Sequence, residues 1–472
     1  MDITKTMGAL KYTIGNPASR KIIKSLSKYC DKCNKNRIEV AIELFTNKRK
    51  TACIKCKLAE KTIVSMLITA SKIFSIDSHD LKQKFEEPHW AKSLANVLNG
   101  IAKFGIKKPF VPGAPFLIVW DITYACNLKC KHCYSNSGKP LEDELSTDQV
   151  IKIIDVLDKQ SIPAIAFSGG EPLIRKDIFQ ITKYANDKGI YVGIATNGTM
   201  INKDKAKEMK KSGIEFVQIS LDGATPETHD SFRGIDGIYN KTINGIKNCV
   251  EEEFFVNIAS TVTKYNYKEI PNIIDLCQKL KVNWFMAYNF IPTGRGEFII
   301  NNDLNPFERE ELLKKLWDKL KKNKNINILS TAPQLSRVAL QLDYNNNKKI
   351  IPTHFYNPTL SNNLINLAEF IGGCGCGRFY CAIRPNGDIE PCVFFPYKVG
   401  NIINENFENI WENNKILNEL RNKDILKGNC GKCDYRYYCG GCRARAYSYT
   451  NDYLQSDPGC INNIELWKQK NK

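Results

Sequence analysis

The residues best suited to chemistry in this sequence are cysteines, and almost all of them occur in groups. The chain of 472 residues has 18 cysteines, of which only Cys249 and Cys277 stand alone. The first residues lack the apolar run of a secretory signal, so grouped thiols indicate metal binding or catalysis rather than disulfides. The two lone cysteines fall in helix-like patterns and are expected to be buried structural residues.

The central group is Cys126-x-x-x-Cys130-x-x-Cys133, which follows the apolar strand FLIVWDI. Soft thiolates this close together on one loop favour an iron–sulfur cluster or zinc. Three cysteines leave one iron of a 4Fe–4S cube without a protein ligand. Such an iron can chelate S-adenosylmethionine (SAM), and one electron into the sulfonium then yields a 5′-deoxyadenosyl radical. Zinc or a chance spacing is the alternative for this loop taken alone.

Four further features fall at the ends of later predicted strands: Gly169-Gly170-Glu171-Pro172, Ser220, Arg233 in HDSFRG, and IPTGRG at 291–296. Together with the cysteine loop, they make the chain similar to the radical SAM superfamily. The resemblance implies that Gly169, Gly170 and Glu171 hold the SAM ammonium group. It also implies that Ser220 contacts the polar part of SAM, that Arg233 pairs with its carboxylate and that His132 packs near the adenine.

The C-terminal region carries nine cysteines, and Gly387 precedes one of them, Cys392, by five residues. This pattern resembles the SPASM domain of radical SAM enzymes. The resemblance implies an inner cluster on Cys374, Cys381, Cys392 and Cys442, and an outer cluster on Cys430, Cys433, Cys439 and Cys460. Cys376 is an extra thiol that could substitute for Cys374. The alternative is a zinc ribbon on the four cysteines from 430 to 442.

Near the start, Cys30-x-x-Cys33 and Cys53-x-x-Cys56 have the spacing of a four-thiolate zinc site. A structural zinc ion in a small helical domain is the first expectation. An additional iron–sulfur cluster and thiols without metal are the alternatives. This region lies outside the family resemblance and could serve substrate or partner binding.

The elements that must position these residues are predicted from periodicity. Six apolar strands alternate with amphipathic helices, which predicts a parallel sheet with right-handed crossovers. The expected fold is α/β, a partial (β/α)6 TIM-like barrel with a cysteine-rich C-terminal domain and a mainly helical N-terminal domain. Strands are predicted at 116–122, 164–168, 191–196, 216–221, 256–262 and 283–289, and helices at 147–160, 176–188, 203–212, 238–252 and 268–280. The predicted domains are 1–110, 111–300 (radical SAM core), 301–372 (a helical and irregular bridge) and 373–472 (SPASM).

The chain has a formal net charge of +18, which can mark a nucleic-acid partner. Its lysines are spread through amphipathic stretches, so we assign the charge to solvated helix faces and do not expect nucleic acid. No stretch is long and apolar enough to span a membrane, and a cytoplasmic enzyme is predicted. The resemblance implies an electron donor such as ferredoxin or flavodoxin.

The resemblance favours oxidative modification of a peptide or protein, with the auxiliary clusters transferring electrons. The alternatives are modification of a small metabolite, such as tetrapyrrole side-chain decarboxylation or alcohol oxidation, and a cluster-binding scaffold without turnover. Sulfatase-maturing relatives have an acidic base after the cysteine equivalent to Cys392. Here that residue is Val393, which argues against sulfatase maturation and leaves the catalytic base unassigned.

Overall fold

The N-terminal region is helical, as the sequence predicts. The computed structural model describes residues 14–74, 77–323, 325–342 and 368–470. The elements of the N-terminal region are α1 (Pro17–Leu26), β1 (Tyr29–Cys30), β2 (Lys35–Asn36), α2 (Arg37–Phe45), α3 (Ile54–Phe74), α4 (Ser78–Lys84) and α5 (Pro88–Phe104). β1 and β2 form a short antiparallel hairpin that places Cys30 opposite Lys35.

The six predicted strands and the helices between them are confirmed, with ends that differ by two residues at most. With one additional helix, α9, the elements of this region are β3 (Leu117–Thr123), α6 (Thr147–Lys159), β4 (Ala164–Gly169), α7 (Ile178–Asp187), β5 (Tyr191–Thr196), α8 (Lys203–Lys211), β6 (Ile214–Ser220), α9 (Pro226–Arg233), α10 (Ile238–Glu251), β7 (Phe255–Val262), α11 (Ile270–Lys279) and β8 (Trp284–Asn289). Helix α9 was not predicted, and its last five residues are the HDSFR segment.

Helix α6 shows why these segments fold as they do. Ser146 and Gln149 form a capping box at its start, which satisfies two backbone donors. Val150, Ile154 and Leu157 recur at helical spacing and are fully buried against the sheet. The lone cysteines also have the expected role, since both are fully buried on barrel helices.

The remaining elements follow β8 in the chain, and four of their strands join the same sheet. They are α12 (Pro306–Lys322), β9 (Asn327–Ser330), α13 (Gln334–Leu342), α14 (Ala368–Ile371), β10 (Tyr380–Ile383), β11 (Asp388–Glu390), β12 (Gly400–Asn401), α15 (Phe407–Asn413), α16 (Lys415–Arg421), α17 (Gly428–Lys432), α18 (Arg443–Thr450) and α19 (Ile464–Lys470). No helix in the described part of the chain is long and apolar enough to cross a membrane.

The sheet is larger than the sequence predicts. Its ten strands have the order β12-β11-β10-β3-β4-β5-β6-β7-β8-β9. Strand β9 comes from the predicted bridge and pairs in parallel with β8, and β10 from the cysteine-rich region pairs in parallel with β3. β11 and β12 continue the sheet in antiparallel fashion. The C-terminal region therefore extends the barrel sheet directly.

The N-terminal region docks against the barrel through buried polar contacts. The Lys92 ammonium of α5 lies between the carboxylates of Glu39 and Asp158, and Lys92 is fully buried. Ser161 Oγ donates to Glu39 Oε1 at 2.6 Å. Because Asp158 and Ser161 precede β4, this contact lies at the amino ends of the barrel strands.

Candidate functional site

The loop with Cys126, Cys130 and Cys133 leaves the carboxyl end of β3 and lines a cavity of about 930 Å³ that is partly open to solvent. Ligands of open parallel sheets bind at this end. The backbone N–H of Leu128 donates to Cys126 Sγ and that of Ser137 to Cys133 Sγ, both at 3.4 Å. Donors of this kind stabilise thiolates and prepare the sulfurs to bind metal.

The IPTGRG segment holds this loop in place. Arg295 Nε donates to the carbonyl of Cys130 at 2.9 Å, and Nη1 donates to the carbonyl of Ser137 at 2.6 Å. Gly294 has a φ of 59°, and a Cβ there would lie 2.6 Å from the carbonyl of Cys133, so only glycine permits the approach. Arg295 was missed by sequence reasoning, since its role depends on a contact 165 residues away.

The two glycines of the GGEP motif bring β4 against the start of the cysteine loop. A Cβ at Gly169 would lie 2.3 Å from the carbonyl of Thr123, and one at Gly170 would lie 2.2 Å from that of Ala125. The Gly170 N–H also donates to the Thr123 carbonyl at 2.8 Å. These positions require glycine because of backbone packing, whatever they contribute to SAM.

Glu171 is fully buried, and its carboxylate already accepts three hydrogen bonds from the protein. It accepts from Thr196 Oγ1 and from the Asn197 N–H, both at 2.8 Å, and from the Leu173 N–H at 3.2 Å. Burial raises the pKa of Glu171, and these donors oppose the shift. The side chain therefore fixes the end of β5, and a direct contact with the SAM ammonium stays a prediction.

Ser220, Arg233 and His132 all line the cavity. Arg233 Nη2 pairs with Asp222 at 2.5 Å, and Nη1 donates to Cys130 Sγ at 3.6 Å. His132 stacks on Phe232 with ring centroids 4.1 Å apart. Burial, followed by the nearby Arg233, lowers the pKa of His132 well below its usual value, so the imidazole is neutral.

The residues that line the cavity are suited to hold a cluster with one open iron, together with a polar molecule bound to that iron. Its lining residues include three cysteines and no fourth in the described part of the chain. Three buried polar atoms of the lining have no hydrogen-bond partner among the described residues: His132 Nδ1, Arg233 Nε and Asn289 Nδ2. Buried polar groups are normally paired, so these atoms are suited to contact a bound molecule such as SAM.

Four cysteines of the C-terminal region pack together beside the barrel: Cys374, Cys376, Cys392 and Cys442. The Cys376 thiol lies next to both Cys374 and Cys392, and Cys442 lies next to Cys374. Tyr380 Oη donates to Cys392 Sγ at 2.8 Å. This arrangement offers four soft ligands for the inner cluster.

Cys381 does not belong to this group, which revises the set implied by the family resemblance. In β10 it pairs with Ile118 and lies in the barrel core together with Ile383. Successive side chains of a strand point to opposite faces, so Tyr380 faces the inner cysteines while Cys381 faces the core. Burial raises the pKa of the Cys381 thiol to about 12. Cys376 packs with Cys374, Cys392 and Cys442, and Cys381 does not.

The four cysteines expected for the outer cluster are brought together, and they line a cavity of about 350 Å³: Cys430, Cys433, Cys439 and Cys460. The Gly441 N–H donates to Cys439 Sγ and the Asp457 N–H to Cys430 Sγ, both at 3.4 Å. Cys442 packs with the inner group, so a zinc ribbon built on residues 430–442 does not match this arrangement.

A buried charge network joins the barrel to the C-terminal region. Arg384, just after β10, forms ion pairs with Asp121 of β3 and Glu390 of β11. Tyr134 Oη also donates to Asp121 Oδ1 at 2.9 Å. Sequence reasoning missed this network because Asp121 and Arg384 are 263 residues apart.

Aromatic rings span the gap between the two cysteine sites. Tyr134, next to Cys133, contacts Phe394 edge-on with ring centroids 5.1 Å apart. Phe394 follows Cys392 by two residues, and its ring centroid lies 6.2 Å from that of Tyr288. All three rings line the cavity, which therefore extends from the three-cysteine loop to the segment that follows Cys392.

The N-terminal cysteines also form a group. The sulfurs of Cys30, Cys33, Cys53 and Cys56 all lie within 4.8 Å of one another, a grouping that could hold a metal ion. Cys30, Cys33 and Cys56 are buried, and Cys53 is partly exposed.

Known proteins match this chain in both regions. A model of the radical SAM superfamily matches residues 120–277, and a model of the SPASM iron–sulfur cluster-binding domain matches residues 374–434. An AdoMet-dependent heme synthase from Methanosarcina barkeri is 36% identical over 351 residues, which are 74% of this chain and 97% of that protein. Fe-coproporphyrin III synthase from the same organism is 31% identical over 73% of this chain and 87% of its own length.

A relative of a different kind is the mycofactocin maturase MftC of Mycobacterium tuberculosis, which is 30% identical over 74% of this chain and 83% of its own. The structure of Streptococcus suis SuiB bound to S-adenosylmethionine has the same fold, with a TM-score of 0.62 and 17% identity over 90% of this chain and 93% of SuiB. This chain is a radical SAM superfamily enzyme with a C-terminal SPASM domain.

Proposed function

We propose that this enzyme uses a SAM-derived radical to decarboxylate propionate side chains of an iron tetrapyrrole. The observation that carries the proposal is the 36% identity to nearly the whole length of an AdoMet-dependent heme synthase. The similarity to an Fe-coproporphyrin III synthase supports the same class of ring. Tetrapyrrole decarboxylation thus replaces peptide modification as the first hypothesis.

The cavity has the properties that such a substrate needs. It is open on one side, and Tyr134, Tyr288 and Phe394 give it an aromatic wall. Aromatic faces bind flat conjugated rings through offset or edge contacts. A macrocycle held at the mouth would extend one side chain toward the three-cysteine loop.

Two polar side chains that line the cavity, Asn289 and Tyr288, support binding of the carboxylate of that side chain. Arg445 Nη2 donates to Asn289 Oδ1 at 2.6 Å, which leaves the Asn289 amide Nδ2 free to donate. Tyr288 Oη donates its one hydrogen to Gln218 Oε1 at 2.9 Å, so it contacts the carboxylate by turning that hydrogen from Gln218 to the substrate. Burial raises the pKa of Tyr288 to about 12, so its hydroxyl stays protonated at physiological pH.

The reaction balances as follows. A propionate loses one hydrogen atom from the carbon beta to its carboxylate, then CO2 and one electron, and becomes a vinyl group. The clusters, when bound, supply the electron that cleaves SAM and accept the electron that the substrate gives up. The residues of the chain hold the substrate carbon near the SAM site, keep the carboxylate in place and limit the access of water.

The proposed ligands follow from the cysteine groups. Cys126, Cys130 and Cys133 hold the SAM-binding cluster. The inner auxiliary cluster is held by Cys374, Cys376, Cys392 and Cys442, and the outer one by Cys430, Cys433, Cys439 and Cys460. A ferredoxin or flavodoxin supplies the reducing electron.

The test is anaerobic incubation of reconstituted enzyme with SAM, dithionite and iron coproporphyrin III. We expect 5′-deoxyadenosine together with a tetrapyrrole that has lost one CO2 and two hydrogens for each vinyl group formed. Metal-free coproporphyrin is the matched control for ring recognition. If the tetrapyrrole neither changes mass nor speeds 5′-deoxyadenosine formation, the proposal is wrong.

Peptide modification is the second candidate, because MftC is 30% identical over most of its length. Candidate peptides in the same assay would then show loss of hydrogen or a new cross-link by mass spectrometry. A peptide product with no tetrapyrrole product would establish this candidate over the first.

A further inference from the structure

The sulfurs of the four N-terminal cysteines are spaced as they would be around a single ion. All four lie within 4.8 Å of one another, and Cys30 Sγ is 3.6 Å from Cys53 Sγ. Four thiolates bound tetrahedrally to zinc at about 2.3 Å place their sulfurs about 3.8 Å apart. The observed separations match that geometry.

The cysteines assigned to iron–sulfur clusters provide an internal comparison. In a 4Fe–4S cube each cysteine sulfur binds a different iron, so the sulfurs lie further apart than around one shared ion. Among the described residues, no other group of three or more cysteines has its sulfurs within 4.8 Å of one another. The barrel loop and the outer group are therefore spaced more widely than the N-terminal cysteines, whose sulfurs are too close together for a cube.

The local backbone builds this spacing. The Cys33 N–H donates to the Cys30 carbonyl at 3.1 Å, and the Cys56 N–H donates to the Cys53 carbonyl at 3.0 Å, so both pairs form the same tight turn. The Cys53 N–H donates to Cys33 Sγ at 3.4 Å and links the two turns. Arg49 lies close enough to Cys33 and Cys56 to offset the negative charge of a four-thiolate site.

We propose that Cys30, Cys33, Cys53 and Cys56 hold one zinc ion in a closed structural site, separate from the clusters of the catalytic reaction. Four protein ligands leave no position for water or substrate, which is the mark of structural zinc. The site ties the β1–β2 hairpin to the start of α3.

The position of the site supports a structural role. Tyr29, next to Cys30, lies within electrostatic reach of Asp158 and Lys188, which precede β4 and β5. The site is therefore near the amino ends of the strands, whereas Cys126 follows the carboxyl end of β3. Strands of six or seven residues separate these two ends by about 20 Å. The zinc ion would hold the region that carries the buried Glu39 and Lys92 contacts.

The test is metal analysis of the full chain with its clusters. We expect one zinc per chain in the wild type, and close to none in the double variant Cys53→Ser, Cys56→Ser, with iron content and 5′-deoxyadenosine formation unchanged. Cys249→Ser, which alters a lone buried cysteine, is the matched control and should retain its zinc. Loss of iron in place of zinc in the double variant would overturn the proposal.

A second measurement does not depend on the folding of a variant. Wild-type protein produced with Co²⁺ in place of zinc should show the intense visible bands of a tetrahedral thiolate site at one cobalt per chain. Protein that takes up no cobalt and contains no zinc would show that the four thiols are unmetallated, and the proposal would be wrong.

Discussion

The three-cysteine loop of the barrel and the outer cysteine group of the C-terminal region offer the same kind of ligand in different numbers. The barrel loop offers three thiolates at the wall of an open cavity of about 930 Å³. The outer group offers four thiolates around a cavity of about 350 Å³. A cluster with an open iron can bind SAM, whereas a cluster with four protein ligands can only pass electrons. The number of thiolates, rather than their chemistry, separates the two roles.

The two sites also differ in the polar groups that surround their cysteines. The barrel loop lies beside unpartnered polar atoms of His132 and Asn289, which suit a ligand that comes and goes. The outer group receives N–H donors from its own chain, at Gly441 and Asp457. Donors to sulfur stabilise the thiolates and tune the reduction potential of a cluster. Each prediction below tests part of this contrast.

The largest effect is expected for Cys130→Ala. Removing one of three thiolates should abolish SAM cleavage and remove about one third of the cluster iron, because one cluster of three is lost. Iron analysis and 5′-deoxyadenosine measurement check this outcome. SAM cleavage that survives the substitution would contradict the assignment of the catalytic cluster.

Cys439→Ala should separate SAM cleavage from product formation. Loss of the outer cluster removes the exit for the substrate electron, so some abortive 5′-deoxyadenosine formation should remain while product falls below detection. Cys277→Ala, at a lone buried cysteine, is the control and should keep its iron. If Cys439→Ala keeps full product formation, the outer group has no part in electron transfer.

Cys376→Ser and Cys381→Ser form a matched pair for the inner cluster. We expect Cys376→Ser to lose about one third of the cluster iron and Cys381→Ser to keep all of it, because Cys381 faces the barrel core. The second variant should instead lower stability by about 1 kcal/mol, the cost of a hydroxyl among apolar side chains. The reverse pattern of iron loss would restore the set with Cys381.

Tyr288→Phe should lower product formation by about tenfold, the effect of one hydrogen bond worth about 1.4 kcal/mol. SAM cleavage should continue, since Tyr288 lies on the Phe394 side of the cavity. The ratio of product to 5′-deoxyadenosine measures this uncoupling. An unchanged ratio would remove Tyr288 from substrate positioning.

The smallest expected effect is the pH dependence of stability that comes from one buried histidine, His229. Burial lowers the pKa of His229 to about 3, and its Nδ1 accepts from the Asp222 N–H at 3.1 Å. The native state thus binds fewer protons than the unfolded state between pH 6.5 and 3, and stability falls as pH drops through this window. Between pH 7.5 and 5.5 we expect His229 to contribute a loss of about 1.4 kcal/mol.

His229→Asn should remove the part of this pH dependence that comes from His229, since the amide oxygen can replace Nδ1 as acceptor without titrating. The part that comes from His132, whose pKa is also lowered by burial, should remain. The thermal midpoints of both proteins at several pH values give the measurement. An equal slope in wild type and variant would show that His229 does not titrate.

The sequence alone determined the architecture of the barrel and the place of its cysteine loop. Strands and helices repeat their apolar residues with periods of two and about 3.6, and such patterns are local enough to identify without a structure. The Cys126 loop follows β3 directly, so its position at the carboxyl end of the sheet was fixed once that strand was recognised. The four outer cysteines were grouped by family resemblance, and the structure brings them together.

Tertiary structure decided which inner thiols meet. Cys376 and Cys381 are only five residues apart, so both are close in sequence to the other inner cysteines. Which face of the sheet Cys381 points to is decided when β10 pairs with β3. The Arg295 contacts to the cysteine loop and the Arg384–Asp121 ion pair join residues more than 150 positions apart. The spacing of the N-terminal sulfurs, which distinguishes one ion from a cube, exists only once two turns are folded together. Such long-range contacts depend on the packing of the whole sheet, which no short segment encodes.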